Sequence, residues 1–150
     1  MDAERLDGIM RRHDYAPSGV IAMLQDLQRE ERYLPLEGLR LIAERVGIPA
    51  SRVYSLATFY RSFSLKPRGR HLVSVCLGTA CHVRGGGRIM DKVTRDLGTP
   101  QGEMTPDGRF TVEPVRCVGC CGLAPVVTVD ETFYGGMTQQ KVAGVLRRYE

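Results

Sequence analysis

The chain has 150 residues, 43% of them apolar, and a formal net charge of +4; that composition excludes a disordered chain, and the length suits one domain or a small domain with a helical appendage. No stretch approaches the roughly 20 apolar residues of a membrane span, and the N-terminus lacks the basic then apolar run of a secretory leader, so a cytoplasmic location is expected. Basic residues are scattered apart from Arg11-Arg12 and Arg147-Arg148, which reads as solvated helix ends and not as a nucleic-acid stripe.

The first sixty-odd residues carry helical periodicity. Ala3 to Arg12 places Leu6, Ile9 and Met10 on one face. Tyr15-Ala16-Pro17 breaks the pattern, and Ser18 is expected to cap a second helix. That helix runs to about Tyr33, with Ile21, Leu24 and Leu27 aligned. Pro35 starts a third helix with the stripe Leu36, Leu39, Ile42, Ala43 and Val46, and Gly47 stops it. After Ile48-Pro49, Ser51 is expected to cap a fourth helix with Val53, Leu56, Ala57 and Tyr60 inward. These stripes predict a small helical bundle.

Lys66-Pro67-Arg68-Gly69 is turn chemistry. It marks a boundary between a helical region, 1–66, and a second domain, 67–150. His71 to Val75 reads as a strand ending at Cys76, and Leu77 to Gly87 as a glycine-rich loop. Arg88 to Leu97 reads as a helix with Ile89, Met90, Val93 and Leu97 aligned, ended by Gly98. Pro106-Asp107-Gly108 is a turn, Arg109 to Val115 a second strand leading to Cys117, and Val126 to Asp130 a third. Glu131 to Gly135 reads as a hairpin with a short fourth strand, and Thr138 caps a last helix with Val142, Val145, Leu146 and Tyr149 inward. The order β-α-β-β-α, with its short extra strand, makes the chain α+β: an N-terminal helical bundle followed by a thioredoxin-like α/β domain.

Four of the five cysteines form two close pairs, Cys76 with Cys81 and Cys117 with Cys121, spaced C-x4-C and C-x3-C. In a reducing compartment such pairs point to metal or redox chemistry more than to disulfides, and soft thiolates select zinc, Cu(I) or iron–sulfur centres. Each pair follows a predicted strand end, so neighbouring strands could bring both loops to one ligand. Gly78, Gly119 and Gly122 allow backbone N–H groups to approach sulfur closely. Such bonds stabilise a more negative, reduced centre. Four thiolates around two irons and two sulfides would carry about −2, offsetting much of the positive formal charge.

Other readings fit less well. A structural zinc site, which would make the chain a non-redox interaction subunit, favours C-x2-C knuckles, and C-x4-C is a poor match. A redox dithiol at Cys117 and Cys120 would open a helix, whereas Cys-Gly-Leu-Ala-Pro and a strand follow. A Rieske centre needs two histidine ligands; His82 adjoins Cys81, but His13 and His71 have no matching cysteine. Gly85-Gly86-Gly87 is a loop entering a helix and not a phosphate cradle. Cys117, Cys120 and Cys121 offer three thiols for two ligand positions, and spacing alone does not choose between them.

Cys-Leu-Gly-Thr-Ala-Cys-His-Val-Arg-Gly-Gly from Cys76 and Cys-Val-Gly-Cys-Cys-Gly-Leu-Ala-Pro-Val from Cys117 resemble the two signatures of the thioredoxin-like [2Fe–2S] ferredoxins. That family includes the small iron–sulfur subunit of the complex I NADH dehydrogenase module and the gamma-type subunits of NAD-dependent formate dehydrogenases and bifurcating hydrogenases. Ala57-Thr58-Phe59-Tyr60 with Phe63, Lys66 to Gly69, Tyr134-Gly135 and Met137-Thr138 resemble the rest of it, so the likeness spans nearly the whole chain. The resemblance implies one [2Fe–2S] cluster bound by Cys76, Cys81, Cys117 and Cys121, with Cys120 at a variable position as a packing residue or a spare thiol. It implies a one-electron carrier that is not catalytic alone and that serves an NADH-linked oxidoreductase. FMN and NAD(H) are then expected on a larger partner subunit, with no nucleic-acid partner and no membrane insertion. Arg84, Arg88 and Arg116 adjoin the ligand loops as candidates to offset cluster charge or to contact that partner, and Phe59, Tyr60 and Phe63 are candidates for a subunit interface or core packing.

Overall fold

A computed structural model describes residues 3–149; Met1, Asp2 and Glu150, the outermost residues of the two expected regions, lie outside the described residues. The chain divides into two compact units, 1–67 and 68–150.

The first unit is helical: α1 (Ala3–Arg12), α2 (Val20–Glu31), α3 (Leu36–Val46) and α4 (Ala50–Phe59). The apolar stripes meet in one core built from Leu6, Ile9, Met10, Met23, Leu24, Leu27, Leu39, Ile42 and Val53, with Leu34 and Phe63 closing it from the connections. Burying each such side chain contributes about 1.5–3 kcal/mol, which is what holds helices this short. Leu36 departs from its stripe and is 51% exposed, because it is the first helical residue and points away from the turn that packs. Tyr60 lies beyond the end of α4 and is also exposed.

Both serine caps are corrected. Ser18 sits inside a 3-10 turn, Pro17–Gly19, and Gly19 precedes α2. Ser51 lies within α4, which begins after Pro49; its carbonyl accepts from the Ser55 hydroxyl at 2.8 Å. In both places a proline sets the entry to the turn or helix without a side-chain cap. The second helix also stops at Glu31, short of Tyr33, where Arg32 turns left-handed at φ 67°. Gly47 terminates α3 as expected, at φ 74°, its N–H bonded to the carbonyls of Ala43 and Glu44.

The second unit runs β1 (His71–Cys76), α5 (Thr79–Val83), α6 (Gly86–Leu97), β2 (Phe110–Val115), β3 (Val127–Val129), β4 (Thr132–Tyr134) and α7 (Gln139–Leu146). The sheet order is β2-β1-β3-β4. β1 pairs β2 in parallel, with Val73 opposite Val112 and Cys76 opposite Val115. β3 runs antiparallel to β1, and β4 antiparallel to β3. Val73, Val75, Val112, Val127 and Val129 pack with Ile89, Met90 and Val93 of α6 and Val142, Val145 and Leu146 of α7. Two helices therefore cover one face of the sheet, and the β-branched residues in register supply its core. Thr138 caps α7 by accepting from the Lys141 N–H, and Gly98 ends α6 at φ 61°.

The expected loop from Leu77 to Gly87 is corrected: it contains α5, a single short helix bearing Cys81, and α6 starts at Gly86, not Arg88. Its glycines mark the joints between elements, not an irregular stretch. The third strand is shorter than expected, Val127–Val129. Among the described residues no helix is long and apolar enough to cross a membrane.

Candidate metal centre

Because β1 and β2 are parallel neighbours, their C-terminal ends lie side by side at one edge of the sheet. Cys76 is the last residue of β1, and Cys117 follows the end of β2 by two residues. Cys81 is carried back to the same edge by α5, and Cys121 opens a 3-10 turn, Cys121–Leu123, after the second loop. The two loops are tied together by backbone. The Cys76 N–H donates to the Val126 carbonyl at 3.0 Å, and the Leu77 N–H to the Val115 carbonyl at 2.7 Å. Gly78 lies so close to the Arg116 carbonyl oxygen that a Cβ there would collide with it. Gly86 is equally constrained, its notional Cβ falling 2.7 Å from the Cys76 carbonyl oxygen and 2.9 Å from that of Cys81. Only glycine permits either approach.

The thiols come as two pairs whose members sense each other's charge. Burial tends to raise the Cys76 pKa, but the Gly78 N–H, the Cys81 thiol and the Val118 N–H outweigh it and hold the group below the ordinary thiol value. Burial pushes Cys81 up, with the hydrogen bond and charge of Cys76 adding to it; the Val126 N–H opposes, and Cys121 contributes a further repulsion. Cys121 is raised by its hydrogen bond to Cys117 and by that group's charge, and Cys76 adds to the repulsion. The Gly119 N–H donates to Cys117 Sγ at 3.3 Å. Backbone donors from Gly78, Val118, Gly119 and Val126 are thus aimed at three of the sulfurs, a concentration of positive dipole that suits a negatively charged thiolate centre.

The pairs differ in exposure. Cys76 and Cys81 are each 2% exposed, within a small cluster with Ala124 and Val126, whereas Cys117 and Cys121 are open to solvent. A shallow cavity of about 530 Å³ opens above the second pair. Gly78, Thr79, Ala80, Val83, Arg84 and Arg116 line it together with the two cysteines. Cys120 stands apart from the thiol pairs. It is half-buried against the Ala124–Val126 cluster, its thiol donating to the Val118 carbonyl at 3.8 Å. His82 is exposed and neither His13 nor His71 lies here: they pair with Asp26 and Asp130 respectively. Among the described residues no three Cys, His, Asp or Glu side chains gather about one point as a single ion would need.

The donor set would suit a binuclear iron–sulfur group: four thiols, two from each loop, with N–H groups directed at the sulfurs. Sequence reasoning overlooked Arg84's anchorage, in which Nη1 donates to the Ala124 carbonyl at 3.3 Å, and the exposure of two apolar side chains close in sequence to the cysteines, Val83 at 79% and Leu123 at 57%. Helical periodicity is not detectable over the five residues of α5, so nothing in the sequence assigned Val83 a face.

Fold and site together define a small α+β protein with two thiol pairs at the C-terminal edge of a mixed sheet. The chain belongs to the thioredoxin-like [2Fe-2S] ferredoxins, whose family model matches residues 6–150; members carry one [2Fe–2S] cluster. It is 38% identical over 130 residues to the HndA component of the NADP-reducing hydrogenase of Solidesulfovibrio fructosivorans, covering 87% of this chain and 76% of that one. It is 34% identical over 140 residues to a component of the NADH-quinone oxidoreductase of Pseudomonas aeruginosa, covering 93% and 84%. Among solved structures, an NAD+-reducing [NiFe]-hydrogenase in the air-oxidized state superimposes with a TM-score of 0.73 over 87% of this chain at 18% identity. The present chain spans 22% of that hydrogenase chain, and the likeness is one of fold.

Proposed function

We propose that this chain is a one-electron carrier whose [2Fe–2S] cluster is held by Cys76, Cys81, Cys117 and Cys121. The observation that carries the reading is the meeting of two thiol pairs at adjacent parallel strand ends, with backbone N–H groups turned toward the sulfurs. When bound, the cluster supplies exchange of single electrons. The protein's own part is to bind and tune. Cys76 and Cys81 form the buried wall, Cys117 and Cys121 the solvent-facing one, and the amides of Gly78, Val118, Gly119 and Val126 lower the cost of concentrated negative charge. Cys120, turned toward the Val118 carbonyl, serves packing.

The chain works as the electron-transfer subunit of an NAD(P)H-linked oxidoreductase complex and has no turnover of its own. Its relatives include components of an NADP-reducing hydrogenase and of an NADH-quinone oxidoreductase, which supports a parent assembly of that kind. A larger partner subunit carries FMN and the NAD(H) site and exchanges electrons with the cluster, and the protein operates in the cytoplasm, where paired cysteines favour metal over disulfide chemistry.

The test is metal analysis of anaerobically purified protein. About two irons and two acid-labile sulfides per chain, with an EPR signal on reduction, are expected. Stoichiometric zinc without that signal would overturn the reading in favour of a structural zinc site. Serine at Cys76, Cys81, Cys117 or Cys121 impairs cluster assembly, and Cys120→Ser leaves it intact; the reverse behaviour of Cys120 and Cys121 would overturn the ligand assignment.

A further inference from the structure

Two arginines stand over the solvent-facing half of the cysteine site. Arg84 and Arg116 line the same shallow cavity as Cys117 and Cys121, and among the described residues no carboxylate lines it with them. Arg84 is not a freely swinging surface residue. It follows α5, two elements' worth of chain away from the second loop, and its Nη1 donates to the Ala124 carbonyl at 3.3 Å. That bond pins the guanidinium to the segment just beyond Cys121. Arg116 is placed from the other side, directly before Cys117, where its carbonyl packs against Gly78. The two cations come from different loops and line one cavity with the exposed pair of thiols, while the buried pair, Cys76 and Cys81, has amide donors directed at it.

Resting on the function proposed above, we infer that Arg84 and Arg116 are positioning charges that set the reduction potential of the centre, with Arg84 the stronger. A one-electron reduction takes the four-thiolate cluster from about −2 to about −3. A fixed cation nearby interacts more favourably with the more negative state, so it favours the reduced form and raises the potential. The guanidinium suits the task because it stays charged throughout the working pH range and its planar fork can hold a carbonyl while its charge faces elsewhere. Solvent at the cavity mouth weakens the effect, and so does added salt, because exposed charges are screened over about 10 Å at 0.1 M ionic strength.

The experiment is a spectroelectrochemical titration of the reconstituted full chain at low salt, on wild type and on Arg84→Lys, Arg84→Gln, Arg84→Glu and Arg116→Gln. Iron and sulfide content and the EPR line shape are recorded on each sample. Arg84→Gln is expected to shift the reduction equilibrium several-fold toward the oxidised form, up to about tenfold, which corresponds to about 59 mV for one electron. Arg84→Glu shifts it further, Arg84→Lys stays near wild type, and Arg116→Gln moves it in the same direction by less. The spacing between variants narrows as salt is raised. A merely structural role would move Lys and Gln alike. Potentials that do not follow the charge at position 84, in protein that holds a full cluster, would overturn the inference. Wild-type protein that holds no cluster would overturn the function it rests on.

Discussion

The two cysteine loops carry the same ligand chemistry on opposite kinds of support. The first, Cys76 to Cys81, is locked in. One thiol ends a central strand, the other sits on α5, both are 2% exposed, and the loop's glycine, Gly78, touches neighbouring backbone. The second, Cys117 to Cys121, is open. Cys117 and Cys121 both face solvent, Gly119 takes φ 81°, and a Cβ at Gly119 or Gly122 would meet nothing within 4 Å. The first pair is thus enclosed by packing, and the second lies at the surface. Arg84 and Arg116 lie on the open side, lining the cavity with Cys117 and Cys121.

The contrast breaks most readily at its glycines. Gly78→Ala drives a methyl group into the Arg116 carbonyl, where backbone must move, and is expected to cost about 3 kcal/mol of apo-protein stability in urea denaturation, with loss of cluster retention. Were Gly78→Ala harmless, the two loops would not be held in contact as described. Next come the buried thiols. Cys76→Ser puts a hydroxyl where 2% of the residue is exposed and is expected to destabilise the cluster-free protein by about 1–3 kcal/mol, whereas Cys117→Ser, on the solvent side, changes the cluster-free stability by less than about 0.5 kcal/mol. Equal effects at both positions would erase the buried-versus-open distinction. Gly119→Ala is expected to cost about 1–2 kcal/mol through the left-handed backbone alone, while Gly122→Ala is nearly silent. The finest test is chemical: limited alkylation of the apo-protein, mapped by mass spectrometry, is expected to modify Cys117 and Cys121 first, Cys120 later, and Cys76 and Cys81 last.

The helical unit offers an independent control on pH. His13's hydrogen bond holds the Asp26 carboxyl below the ordinary carboxylate range, and the Arg12 and Arg29 charges assist against the opposing effect of burial. A depressed carboxyl pKa contributes stability that is present above the unfolded value, near 3.9, and is lost as pH falls through the folded one. Asp26→Asn is therefore expected to reduce stability by less than about 1 kcal/mol at pH 7, since the group is partly solvated, and to flatten the acid limb of the stability profile. The cysteine edge of the second unit should be unaffected by that substitution.

Much of the fold was legible in the amino-acid order. Periodic stripes such as Leu6-Ile9-Met10 and Ile89-Met90-Val93 became buried helix faces because they are long enough for a 3.6-residue period to register. Gly47, Gly98 and Thr138 stopped or capped helices as their backbone chemistry dictates. Ser18 and Ser51 failed as caps because Pro17 and Pro49 had already set the entry conformation. The short helix bearing Cys81 escaped notice because five residues between glycines carry no period. Leu36 and Tyr60 carried the right residue type for a core, but each sits at a helix end where the packed face has run out.

For this protein the sequence determined the ligand chemistry: which thiols come in pairs, at what spacing, and with which glycines between them. Residue type and spacing are local properties, and local chemistry is enough to limit the metals that such donors select. Tertiary structure alone decided that β1 and β2 run parallel as neighbours, that one thiol pair is buried while the other is exposed, and that Arg84 reaches across to the Ala124 carbonyl. Those are matters of strand order and burial between residues some forty positions apart, and they arise only when the sheet pairs and its helices close over one face.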